Sequence, residues 1–105
     1  MKQNGDCYEA HANYMLKLKS TAGFTLCHGT VTGQGPIEGI KHDHCWLELP
    51  DMVVDISNGK NILMPKSRYY KIGKIDPSSI KRYTLKQLRK QILYYKHYGP
   101  WEARL

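Results

Sequence analysis

Cys7, His44 and Asp55 are the three side chains whose types and chain order suit acyl transfer. A thiolate attacks a carbonyl, an imidazole moves the proton, and a carboxylate holds the imidazole in the useful tautomer. Asp6-Cys7-Tyr8-Glu9 reads as a capping box, with Asp6 accepting from the amide three residues on and Glu9 reaching back. Cys7 then falls in the first turn of a helix, where unpaired amides and the helix dipole favour a thiolate.

His44 and Asp55 flank Pro50-Asp51. With those two residues as a hairpin loop, Leu49 pairs with Met52, Trp46 lies opposite Asp55, and His44 lies opposite Ser57. Side chains alternate along a strand, so His44, Trp46, Asp55 and Ser57 share one face and Asp55 is the diagonal neighbour of His44. The other face carries Cys45, Leu47, Leu49, Met52, Val54 and Ile56 and is almost wholly apolar. The pattern predicts core on the apolar side and a crevice on the His44/Asp55 side. A slip of one residue would part the two. Asp55 also has a plainer reading, as the cap of the turn at Asn58-Gly59.

These residues need elements to hold them. A helix is expected from Asp6 to about Lys19, with Cys7, Ala10, Tyr14 and Leu18 on its buried stripe and Met15 nearby. Phe24 to Val31 is β-prone, and Thr32 to Gly39 is a glycine-rich connection. The hairpin follows, over His44–Leu49 and Met52–Ser57. Ile62 to Ile75 carries no clear period, beyond a short helical turn over Pro65–Lys71. Thr84-Leu85-Lys86-Gln87 is a second capping box, opening a helix to about Lys96 with Leu85, Leu88, Ile92 and Tyr95 buried, and Gly99-Pro100 stops it. The whole is an α+β domain spanning 1–105. Its N-terminal helix carries the cysteine and packs on a small antiparallel sheet, and an amphipathic helix closes the chain.

Gly5-Asp6-Cys7-Tyr8 at a helix start resembles the nucleophile segment of papain-like and transglutaminase-like thiol enzymes. His44-Cys45-Trp46-Leu47-Glu48-Leu49, followed by Val53-Val54-Asp55-Ile56-Ser57, resembles the transglutaminase-like pattern of a His-x-Trp strand and a strand bearing the Asp. The likeness covers residues 5–58. It implies Cys7 as nucleophile, His44 as general base and acid, and Asp55 as orienter, acting through an acyl-thioenzyme on a peptide, isopeptide or other amide substrate with no cofactor. The Cys7–His44 separation is short for these enzymes. Gln3 is not clearly equivalent to the glutamine that papain-like enzymes carry upstream of the cysteine. Gln34 and the Cys7 backbone N–H are further oxyanion candidates, and Trp46 a wall of the substrate site. The whole chain is also similar to small proteins from phage genomes, which implies a host cytoplasm.

Charge offers a competing reading. The formal net charge is +7, and residues 60–105 hold twelve Lys/Arg against only Asp76 and Glu102, while residues 1–59 are net acidic. Such a basic half suits an acidic partner, so a non-enzymatic binding or inhibitor protein is the alternative; nucleic acid is not expected, because no nucleic-acid motif accompanies the charge. A zinc module is a third reading, from Cys7/His11 spacing and the His42, His44, Cys45 cluster, but it lacks paired ligand motifs. His11, His28 and His97 are read as ordinary surface or helix histidines, and Trp101 as a packing anchor. At 41% hydrophobic and 24% charged the composition is that of a globular domain rather than a disordered chain. No apolar run is long enough to span a membrane, and the first residues lack a secretory apolar segment. Three cysteines cannot all pair within the chain, so free thiols in a reducing, cytoplasmic setting are expected.

Overall fold

Leu47 pairs with Val54 and Glu48 with Val53, which is the register a two-residue Pro50-Asp51 loop dictates. The Leu49 N–H donates to the Met52 carbonyl at 2.9 Å and closes that loop. The computed structural model describes residues 6–18, 23–33 and 38–101. Within them, five strands form one antiparallel sheet: β1 (Thr25–Thr32), β2 (Lys41–Glu48), β3 (Met52–Asp55), β4 (Ile62–Pro65) and β5 (Lys81–Tyr83), in the spatial order β4-β3-β2-β1-β5. Three α-helices flank it: α1 (Asp6–Lys17), α2 (Lys66–Gly73) and α3 (Leu85–Tyr95). The architecture is α+β, with the cysteine-bearing helix first and an amphipathic helix near the end.

Each face of the sheet is covered. α1 and α3 lie on the face carrying Leu26, Cys45 and Leu47, where Ala12, Met15, Leu88 and Trp101 complete a buried cluster. The opposite face carries Cys27, Trp46 and Val53, closed by Val31, Ile75, Ile80 and the two α2 tyrosines, Tyr69 and Tyr70. The His44/Asp55 side is therefore not the open crevice expected from the sequence. The acids on that face need donors once buried, and the α2 hydroxyls supply them.

The helices differ from expectation in detail. The buried residues of α1 are Cys7, Tyr8, His11, Ala12 and Met15, a stripe rotated from the expected one, and Tyr14 is 38% exposed. In α3 the Thr84–Gln87 capping box forms, with Thr84 Oγ1 accepting from the Gln87 N–H. Leu88 is its buried anchor, whereas Tyr95 packs edge-to-face on Tyr94 and stays 41% exposed. Lys96 in the left-handed region ends the helix before Gly99-Pro100 is reached. Among the described residues no helix is long and apolar enough to cross a membrane.

Candidate active site

β3 stops at Asp55, so next to His44 the edge of β2 has no strand partner on that side. The first turn of α1 packs there, against the 3-10 turn Ser57–Gly59 that follows β3. A side chain from β2 thus reaches past the short strand toward the helix. The three expected residues meet at this corner of the sheet.

His44 Nε2 lies 3.0 Å from Asp55 Oδ2, and the Cys7 thiol stands near enough to the His44 ring to raise its proton affinity. Asp55 accepts, so Nε2 carries a proton and Nδ1 is the nitrogen left for the sulfur. Burial would lower the pKa of His44, but the hydrogen bonds and charges of Asp55 and Cys7 outweigh it and raise the pKa to about 9. Burial would likewise raise Asp55. The bond and charge of His44, with help from Ser57 and Tyr69, instead hold this carboxyl well below the usual carboxylate range.

Asp55 is held on every side. Oδ1 accepts from the Ser57 N–H at 3.0 Å and the Ser57 hydroxyl at 2.7 Å, while Oδ2 also accepts from the Tyr69 hydroxyl at 2.7 Å. The two readings of Asp55 are thus compatible: one oxygen caps the turn, and the other orients the imidazole. Burial, then the Asp55 charge, pushes the Tyr69 hydroxyl far up, so it stays a donor.

Trp46 takes a different place from the one expected. It is fully buried beneath His44, ring centroids 6.1 Å apart and 30° between planes, and its Nε1–H donates to Glu48 Oε2 at 3.0 Å. It is a floor for the imidazole rather than a substrate wall or oxyanion donor. Gly29, paired with His44, makes room for it, since a Cβ there would stand 2.8 Å from the indole edge. Glu48 also accepts from Tyr70 and from Arg82 at 3.2 Å, and Lys66 Nζ is 3.4 Å away. Burial opposes ionisation of Glu48, yet the Tyr70 and Trp46 hydrogen bonds and the Arg82 charge bring its carboxyl below the ordinary value.

Burial pushes the Cys27 and Cys45 thiols far up, which leaves Cys7 as the thiol with an imidazole partner. Cys7 is itself only 4% exposed. Gln3, Gln34 and the Asp6 side chain lie outside the described residues. The first amides of any α-helix have no helical carbonyl to bind, and Cys7 lies in that first turn of α1.

Two histidines sit deeper than expected. His28 packs among Tyr8, Tyr83 and Trp101, with centroid distances of 4.9, 5.0 and 5.0 Å. His11 is fully buried one turn after Cys7, with both ring nitrogens engaged. Its spacing from Cys7 and its place beside Ala12 and Met15 were the available signal. The hairpin register places Ser57 on the His44/Asp55 face without marking it as a donor to Asp55, and Tyr69 carries no signal, because its role depends on where α2 lands. Trp101 is buried as an anchor, donating Nε1–H to the His97 carbonyl at 2.8 Å. Among the described residues no three His, Cys, Asp or Glu side chains form a group that could hold a metal ion.

No family model matches this chain, and no curated protein or solved structure was found to match it.

Proposed function

We propose that the protein is a cysteine-dependent hydrolase or acyltransferase of papain-like or transglutaminase-like type. The observation that carries this reading is His44, hydrogen-bonded to Asp55 and close enough to the Cys7 thiol for the two to act on each other's protons. In the proposed cycle the Cys7 sulfur bonds to an amide, isopeptide or thioester carbonyl carbon while His44 retains the thiol proton. The tetrahedral intermediate collapses, the bond to the leaving amine or thiol breaks, and His44 hands it that proton. Water or an acceptor amine then gives a proton to His44 and attacks the acyl-thioenzyme, and the C–S bond breaks to free Cys7. No cofactor enters, and a reducing cytoplasm keeps the thiol available.

An activated ester tests this without knowledge of the natural substrate. With p-nitrophenyl acetate the wild type should release a burst of about one nitrophenolate per chain and gain one acetyl group on Cys7. Cys7→Ser should give neither. Acetylation spread over lysines with no burst would overturn the proposal.

A second reading has one observation behind it. Lys86, Arg89, Lys90, Leu93, Tyr94 and His97 form a single exposed stripe along α3 and just beyond it, with Leu93 71% and Tyr94 75% exposed. Such a stripe suits an acidic protein partner. If binding were the whole function, neutralising Lys86, Arg89 and Lys90 would abolish it while Cys7→Ala left it intact.

A further inference from the structure

We propose that His11 is a positioning residue that fixes the Cys7 turn of α1 against the end of β3, an inference that rests on the triad reading above. His11 is 0% exposed. Its Nδ1 lies 2.8 Å from the Cys7 carbonyl oxygen, and its Nε2 lies 2.9 Å from the Ile56 backbone nitrogen. Both partners are single-natured. A carbonyl only accepts, so Nδ1 carries the proton; a backbone N–H only donates, so Nε2 offers its lone pair. The ring is held as the neutral Nδ1–H tautomer.

The two atoms so bridged belong to the nucleophile and to the residue immediately after Asp55. One rigid imidazole therefore spans from the Cys7 turn to the Asp55 corner, across 45 residues of sequence from His11 to Ile56. Among the described residues no backbone hydrogen bond joins α1 to β3. The distance from the Cys7 sulfur to His44 depends on where that first turn sits, and a displacement of about 1 Å in such a contact costs on the order of a hundredfold in rate.

His11 also leaves the charge of Asp55 to His44. Its Nε2 stands 3.8 Å from Asp55 Oδ1, beyond hydrogen-bond range. With Ile56 donating to that nitrogen, His11 is a neutral neighbour of the carboxylate rather than a second cation competing with His44.

Two substitutions separate the two links. In His11→Gln the side-chain amide reaches about as far as Nε2 and can accept from Ile56, while the donor to Cys7 is lost. In His11→Asn the amide sits near the Nδ1 position and keeps the Cys7 link, while the Ile56 link is lost. Each variant, checked for folding by near-ultraviolet circular dichroism, is alkylated with iodoacetamide across the pH range and read by mass spectrometry. We expect both to slow Cys7 alkylation about tenfold or more, with the pH midpoint displaced toward that of His44→Ala. Alkylation that depends on His44 but keeps its wild-type rate and midpoint in both His11 variants would overturn the role of His11 alone. Alkylation of Cys7 indifferent to His44 would overturn the triad reading and this role with it. Imidazole nitrogen NMR of the wild type needs no variant: Nδ1–H on His11 supports the assignment, and Nε2–H refutes it.

Discussion

Replacing Asp55 by Asn removes one charge and exchanges one acceptor for a donor at the centre of the site. The amide oxygen can still take the two Ser57 bonds made by Oδ1. Its NH2 group then faces His44 Nε2–H and the Tyr69 hydroxyl, both of which donate to Oδ2 in the wild type. When neutral, His44 must then take the other tautomer, so Nδ1 carries N–H and offers Cys7 no lone pair to accept the thiol proton. With the carboxylate gone, burial is opposed only by Cys7, and the His44 pKa should fall from about 9 toward its ordinary 6.5. At about 1.4 kcal/mol per pH unit that difference is about 3 kcal/mol.

The sign fixes where the loss appears. A raised histidine contributes stability that is fully present below pH 6.5 and lost as pH climbs through about 9. A depressed aspartate contributes above its unfolded value of 3.8 and loses that contribution as pH falls. The pair therefore acts in full between about pH 4 and 6.5. Urea unfolding should find Asp55→Asn about 3 kcal/mol less stable at about pH 6, with the gap narrowing at about pH 10. The His44 ring-proton NMR titration reads the same quantity directly. A His44 midpoint still near 9 in Asp55→Asn, or a stability gap independent of pH, would refute the reasoning.

Other expectations concern the floor of the site. Gly29→Ala sets a methyl 2.8 Å from the Trp46 ring edge and should cost about 1–3 kcal/mol in thermal unfolding, with slower Cys7 alkylation as Trp46 shifts under His44. Glu48→Ala strips the Trp46 N–H and the Tyr70 hydroxyl of their acceptor and should destabilise by about 2–4 kcal/mol, with a shifted tryptophan emission spectrum. Unchanged emission would contradict the pairing.

Much of the site was legible because it depends on local rules. Pro50-Asp51 sets the hairpin register, and register with strand alternation carries His44 to Asp55 without any other part of the fold. The α3 start was legible for the same reason, as Thr84 and Gln87 form a self-contained cap. Features that depend on distant packing were not. β4 and β5 are only four and three residues long and draw their strand character from neighbours rather than from a period of their own. α2 was visible only as a turn at Pro65–Lys71, and its sequence does not reveal that Tyr69 and Tyr70 reach two buried acids on the sheet. Without that, the His44/Asp55 face read as a crevice. The buried stripe of α1 includes His11, a polar residue that hydropathy alone assigns to the surface.

Whether Cys7 works as a thiol activated by His44 is most directly read from its competition with the other two cysteines. Sub-stoichiometric iodoacetamide at about pH 6, followed by peptide mass spectrometry, should label Cys7 far ahead of Cys27 and Cys45, whose thiols burial holds protonated. That lead should collapse in His44→Ala. Three cysteines labelled at one rate, or a Cys7 lead that persists without the imidazole, would contradict the account.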